Sequence, residues 1–353
     1  MNLDKLLAQG TVPDFLLRKG IRRQINKRIK KQKRLSIEGR FEYLSKFIEN
    51  LKKQPIAVET EAANEQHYEL PPQFFEKILG RNLKYSCCFW SDDFNYKKLK
   101  KQGDLQQRLD QAEAEMLELT AHRAEIENGQ NILDLGSGWG SLSFYLAKKF
   151  PDSRIISISN SSLQIEYINQ LAAQNKIENL RAVKADISDF KTEAKFERIV
   201  SVEMFEHLRN YQKLMQKLSS FLSAEGKLFV HIFSHQYYPF TYQDNQDTDW
   251  MARYFFSGGT MPSQDLLHYF SGNLNLQQQW AISGSHYQKT LEVWLKIMDQ
   301  KKEEIYPILE SNYGVGQAEK WWNYWRVFFI SSAEFFGFDA GNEWFISHYL
   351  FQK

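Results

Sequence analysis

The run Asp134-Leu-Gly-Ser-Gly-Trp-Gly140 carries the clearest chemical signal in the chain. Glycines at 136, 138 and 140 let the backbone turn tightly and approach a ligand with no side chain in the way. The spacing departs from the dinucleotide fingerprint, whose third glycine comes one residue later and whose helix end holds a pyrophosphate. It suits a ligand with an adenosine but no phosphate. Asp134 could attract an ammonium group on such a ligand, directly or through a water. In SISNSSLQ, Asn160 and Gln164 lie one turn apart and offer donors and acceptors where nucleotide-binding folds often use an acid for ribose hydroxyls. Asp186 is placed to meet an adenine amino group, with Ile187 against the ring. The plainer alternatives are a helix cap for Asp186 and a ligand-free strand–helix turn for the glycines.

The surrounding sequence must hold these residues at the ends of strands. NILDLG reads as a buried strand and SLSFYLAKKF as the helix after it. RIISIS, LRAVKAD, FERIVSVEMF and GKLFVHIF read as four more strands, with SLQIEYINQLAAQN and the residues near Tyr211 to Leu222 as helices between them. This alternation predicts an α/β, doubly wound sheet with right-handed crossovers. Upstream, a helix is expected from Asp104, as its cap, to about Glu125, with Leu105, Leu109, Ala112, Met116 and Leu119 on one face. The alternation is interrupted from about His235 to Pro262, read as an insertion covering the strand ends. A dense aromatic helix, WWNYWRVFFISSAEFFGF, follows, and WFISHYLF is expected to be a last strand. The implied organisation is an N-terminal helical extension over 1–72, a nucleotide-binding core over 73–235, and a cap, aromatic helices and final strand over 236–353.

Composition sets the remaining bounds. With 42% hydrophobic and 25% charged residues the chain has the profile of a folded soluble protein. No apolar run nears the roughly 20 residues needed to cross a bilayer, and the N-terminus lacks a signal layout, so a cytoplasmic location is expected. Cys87 and Cys88 are adjacent, which predicts neither a disulfide framework nor a metal site. The net charge of +2 conceals ten Lys/Arg and no acid between Arg18 and Arg34, leaving the rest of the chain at −8. Ile21, Ile25 and Ile29 recur every four residues there, giving a basic helix with an apolar stripe. Such a helix can dock on its own acidic domain or lie peripherally on an anionic membrane. No nucleic-acid-binding motif accompanies it, so nucleic acid is not an expected partner.

The phosphate-free ligand that fits is S-adenosylmethionine (SAM), with its amino-acid end, adenosine and sulfonium. Together, KYSCCFW, ILDLGSGWGSLSFYLAKKFP, SVEMFEH, FVHIF and RYFFSGGTMPS resemble the cyclopropane-fatty-acid-synthase-like branch of class I, Rossmann-like SAM methyltransferases. Within that branch the chain is most similar to the coclaurine N-methyltransferase group, from about Pro13 to the C-terminus. The resemblance implies a small-molecule amine as methyl acceptor and allows for a homodimer. It implies that Tyr85 and Ser86 close over SAM and that Glu203, Glu206 and His207 line the methyl-transfer site. There a carboxylate or imidazole would take the proton that a charged amine must lose before it attacks. The bland alternative for the two glutamates is a solvated acidic turn. Tyr68, Phe255, Tyr287, Tyr324, Trp325, Phe328 and Phe329 are candidate walls for a flat or cationic substrate.

Two further readings stay open at this level. Cyclopropanation of unsaturated lipid chains would use a bound bicarbonate, and Cys87, Glu206, His231 and Tyr287 match the positions that hold it in the synthases. Against it stands Glu203, where those synthases usually have glycine. The other reading is a SAM-binding module without catalysis.

Overall fold

The computed structural model describes residues 3–58, 70–98, 102–242 and 250–353. The chain opens with three helices, α1 (Leu3–Ala8), α2 (Asp14–Gln32) and α3 (Ile37–Lys52), followed by the short α4 (Pro72–Ile78). The long α5 (Gln102–Arg123) leads into alternating β1 (Asn131–Leu135), α6 (Ser141–Lys149), β2 (Arg154–Ser159), α7 (Ser162–Gln174) and β3 (Leu180–Lys184). Next come β4 (Phe196–Val202), α8 (Tyr211–Phe221) and β5 (Leu222–His235). The inserted segment contains β6 (Phe240–Thr241), α9 (Trp250–Tyr254) and β7 (Thr260–Met261). The tail comprises β8 (Asn275–Ile282), α10 (Gly284–Gln300), α11 (Lys302–Tyr313), α12 (Ala318–Phe336) and β9 (Trp344–Gln352).

The main sheet has the order β3-β2-β1-β4-β5-β9-β8, and β6 pairs with β7 separately. β1 to β5 are parallel, as the alternation predicts, while β9 runs antiparallel to both β5 and β8. The order turns back at β1, so loops leaving β1, β2, β3 and β4 converge at one edge, where open α/β sheets bind ligands. Local signals explain the helix starts: Ser36, Ser161 and Asn210 accept from Gly39, Gln164 and Lys213 N–H groups, respectively. Asp104 is not the cap of α5 but lies in its first turn. On that helix Leu105, Leu109, Ala112 and Met116 are buried and Leu119 is half-buried. The strand β8 was not legible in the sequence. Its Gln277, Gln278 and Gln279 are exposed on a sheet edge, so no apolar pattern marks it.

The basic run docks on the molecule. Ile25 and Ile29 are buried and Ile21 is half-buried, so the stripe faces inward. Arg18 pairs with Glu292 of α10 and, at 2.8 Å, with Glu334 of α12, which Arg22 also holds. Arg28 stacks over the Phe240 ring at 3.4 Å. Among the described residues no helix is long and apolar enough to cross a membrane.

Candidate active site

The glycine turn leaves β1 at the converging edge. Gly136 has φ +85°, and a Cβ there would lie 2.6 Å from Met204 Cγ, so glycine is required by both backbone and space. Gly138 has φ +52°, yet a Cβ would meet nothing within 4 Å; it borders a cavity. Tyr85, Ser86, Asp134, Gly136, Gly138, Asn160, Gln164, Asp186 and Ile187 all line this cavity, together with Glu203 and His207.

Its walls fit a polar, adenosine-bearing ligand. Buried Gln164 accepts from Ser159 Oγ through Oε1, while its Nε2, and the hydroxyls of Thr120, Ser137 and Ser141, have no hydrogen-bond partner among the described residues. Buried donors in that condition are costly unless a ligand meets them. Burial pushes the Asp134 carboxyl up to about 6, against the Ser143 hydroxyl that donates to it. Such a group sheds its proton and gains stability when an ammonium approaches. Asp186 caps a turn and not a helix, its Oδ1 accepting from Ser188 N–H at 2.7 Å, and the residue borders the cavity.

A second cavity of about 580 Å³ adjoins the first, within the range of small-molecule sites. Tyr85, Glu203 and His207 line both, and Glu206 lines the second, so the acidic turn after β4 is where the two meet. Leu17, Ile21 and Ile25 of α2 form one wall, and Phe233, Trp294 and Phe336 belong to others. Of the candidate substrate residues, Tyr287 and Phe328 line this cavity. Phe255, Tyr324, Trp325 and Phe329 do not: all four are fully buried core residues. Phe255 stacks behind Phe328 at 4.6 Å, Trp325 packs on Phe74 at 4.9 Å, and the Tyr324 hydroxyl donates to Asp4. Tyr68 lies outside the described residues.

Glu203 is not a solvated turn residue. Its φ of +47° is left-handed, which costs a side-chain-bearing residue roughly 1–2 kcal/mol. The conformation is held by its N–H donating to the His231 carbonyl at 2.9 Å and by three donors on the carboxylate. Cys87 N–H reaches Oε1 at 2.9 Å, His231 Nε2 lies 3.2 Å from Oε1, and the Tyr287 hydroxyl donates to Oε2 at 2.6 Å. Burial raises its pKa, opposed by the Lys84 charge, the Cys87 N–H and the Tyr287 hydroxyl. Glu206 is more deeply buried, but neither of its oxygens is hydrogen-bonded among the described residues, and burial and the Glu203 charge push it well above the ordinary carboxyl range. Burial and mutual repulsion thus favour the protonated form more strongly at Glu206 than at Glu203, whose charged form the Lys84 cation, the Cys87 N–H and the Tyr287 hydroxyl support. Burial also pulls His207 down to about 4, so its imidazole is neutral.

Two contributors escaped the sequence reading. Buried Lys84 donates to the Cys87 carbonyl at 2.8 Å, placing a cation beside Glu203. His348, on β9, bonds to His231 at 2.9 Å. Neither stands in a recognisable spacing with the acidic turn.

The mycolic acid cyclopropane synthetase family model matches residues 57–340. The chain belongs to that family. Its class I sheet, glycine turn and polar cavity are those of a SAM-dependent methyltransferase. Over all of this chain and 96% of the relative it is 36% identical to an (S)-coclaurine N-methyltransferase of Thalictrum flavum subsp. glaucum. The cyclopropane-fatty-acyl-phospholipid synthase of Escherichia coli is 27% identical over 70% of this chain and 58% of its own. The crystal structure of coclaurine N-methyltransferase bound to N-methylheliamine and SAH superposes with a TM-score of 0.92 at 33% identity, covering 99% of both chains.

Proposed function

We propose that this methyltransferase transfers the methyl group of SAM to the nitrogen of a small amine carrying a flat apolar body, with Glu203 as the base. Bound SAM supplies an electrophilic sulfonium methyl. Asp134, Gln164, Asn160 and Asp186 would hold its amino-acid and adenosine ends, with Ile187 against the adenine and Tyr85 and Ser86 closing over it.

An amine is mostly protonated near neutral pH and has no lone pair until it loses that proton. A carboxylate offers about four acceptor positions, and Cys87, His231 and Tyr287 occupy three on Glu203. The remaining one is available at the junction of the two cavities to attract the ammonium and take its proton. Protonated Glu206 and neutral His207 flank the same junction and orient the nitrogen without adding charge. Tyr287 and Phe328 would face the ring system. Positioning accounts for most of the acceleration, because SAM is already activated.

The observation that carries this reading is the carboxylate of Glu203 among three donors. By resemblance, Cys87, Glu206, His231 and Tyr287 match the bicarbonate site of cyclopropane synthases, and here three of them, Cys87, His231 and Tyr287, bond the chain's own Glu203 carboxylate. That supports an amine acceptor over a lipid alkene, as does similarity to N-methyltransferases along the full length. Turnover of methyl-labelled SAM should be measured against primary, secondary and tertiary aliphatic amines that carry an aromatic ring, with unsaturated phospholipid vesicles alongside. Methyl transfer to vesicles and to no amine would overturn the assignment.

A further inference from the structure

Behind Glu203, a chain of hydrogen bonds runs along one face of the sheet, over β5 and β9, and ends on an arginine at the end of α5. His231 of β5 and His348 of β9 are direct cross-strand partners, so their side chains share one face. His231 Nε2 lies 3.2 Å from Glu203 Oε1, His231 Nδ1 lies 2.9 Å from His348 Nε2, and His348 Nδ1 lies 3.0 Å from Arg123 Nη1. Both imidazoles are fully buried. Arg123, at the end of α5, is half-buried and held over the Trp280 ring at 4.9 Å; Trp280 is in turn the β8 partner of His348. His348 lies beyond the residues matched by the family model.

The donor inventory dictates the direction of this chain. A guanidinium only donates, so His348 Nδ1 must carry no proton. Burial, together with the nearby positive charges of Arg123 and Lys84, keeps both imidazoles neutral. The His348 proton therefore sits on Nε2 and is donated to His231 Nδ1. That leaves the His231 proton on Nε2, aimed at Glu203.

We infer that Arg123 is a positioning residue for the base: through the fixed tautomers of His348 and His231 it delivers a hydrogen bond that keeps the Glu203 carboxylate ionised. The inference rests on Glu203 being the base and adds what sets its charge state. The groups that face the Glu203–His231 pair are Lys84 and the Cys87 N–H from the segment before α5, Tyr287 from α10, Glu206 and His207 from the acidic turn, and His348 from β9. Lys84 and Tyr287 act on the carboxylate directly. Arg123 acts only through the imidazoles. The chain does not carry protons outward, because His231 Nε2 is already protonated and Arg123 cannot accept; a proton taken by Glu203 must leave on the cavity side.

The test uses the full-length protein without amine, and then with it. Imidazole ¹⁵N shifts should show His231 and His348 neutral and protonated on Nε2. Titration of the Glu203 carboxyl, followed by ¹³C in glutamate-labelled protein and assigned with Glu203→Gln, should shift upward by about half a pH unit or more in Arg123→Met. His348 should then become a mixture of tautomers. Arg123→Lys, which keeps a donor, should restore both signals. With an amine that is turned over, the rising limb of kcat/KM against pH should move upward in Arg123→Met and return in Arg123→Lys. Either imidazole protonated on Nδ1 in the wild type, or an unmoved Glu203 titration in Arg123→Met, overturns the inference. These amine-free readouts stand whether or not amine methylation is found, so a failure here is separable from a failure of the proposed activity.

Discussion

The Tyr287 hydroxyl donates a 2.6 Å hydrogen bond to Glu203 Oε2, joining α10 to the turn after β4. A residue from the tail thereby completes a carboxylate that belongs to the sheet core. The bond strengthens the charged form of Glu203, and burial and the neighbouring carboxylate push the Tyr287 phenol itself well above its ordinary range, so it stays protonated and donating.

Tyr287→Phe removes that donor and leaves the ring in place. The carboxylate loses stabilisation of its charged form, so its pKa rises. Because the base must be ionised, the rising limb of kcat/KM against pH moves to higher pH, with the largest loss on the acid side and recovery above. A profile that keeps its shape and position would contradict the role given to Tyr287.

Glu203→Gln removes the charge and should lower kcat by about 100-fold or more, within the usual span for a general base. Calorimetry should find SAM affinity little changed. Glu206→Gln keeps a neutral, donating side chain in a place where the native residue is already protonated, so its main effect should be a raised KM for the amine. Equal losses in kcat for the two variants would refute the division of charge between them.

Gly138→Val separates cofactor binding from folding. A Cβ there meets no protein atom within 4 Å, and the position borders the cavity lined by Asp134 and Asp186. The left-handed backbone costs the substituted residue roughly 1–2 kcal/mol. The variant should remain folded by circular dichroism and lose measurable SAM binding by calorimetry. Wild-type affinity in this variant would remove the glycine turn from the cofactor site.

Arg18→Met tests the docking of the basic helix. Glu292 and Glu334 have side chains only 6% and 3% exposed, and Arg18 joins both to α2. Leaving them without that partner should cost about 3 kcal/mol in urea unfolding, the low end for a broken buried pair, because Arg22 still reaches Glu334. Since α2 also walls the second cavity, the amine KM should rise while SAM affinity holds.

Local pattern alone determined the doubly wound core, the turn at Asp134–Gly140 and the ring of residues at Asn160, Gln164, Asp186 and Ile187. Each sits just after its strand or, for Gln164, in the first turn of the helix that follows, and a parallel sheet sends all such ends to one edge whatever the remainder of the chain does. The inward stripe of α2 was half legible: the spacing of Ile21, Ile25 and Ile29 marked an apolar face but not what covers it. Tertiary structure alone decided which aromatics meet the cavity. Tyr324, Trp325 and Phe328 follow one another along α12, and only the neighbours that pack on each send two to the core and one to the wall. It also decided which of two glutamates three positions apart has its charged form supported by donors. That choice depends on donors from Cys87, His231 and Tyr287, separated from Glu203 by 116, 28 and 84 residues. A carboxyl's proton affinity is set by what surrounds it in space, and spacing along the chain carries no record of that.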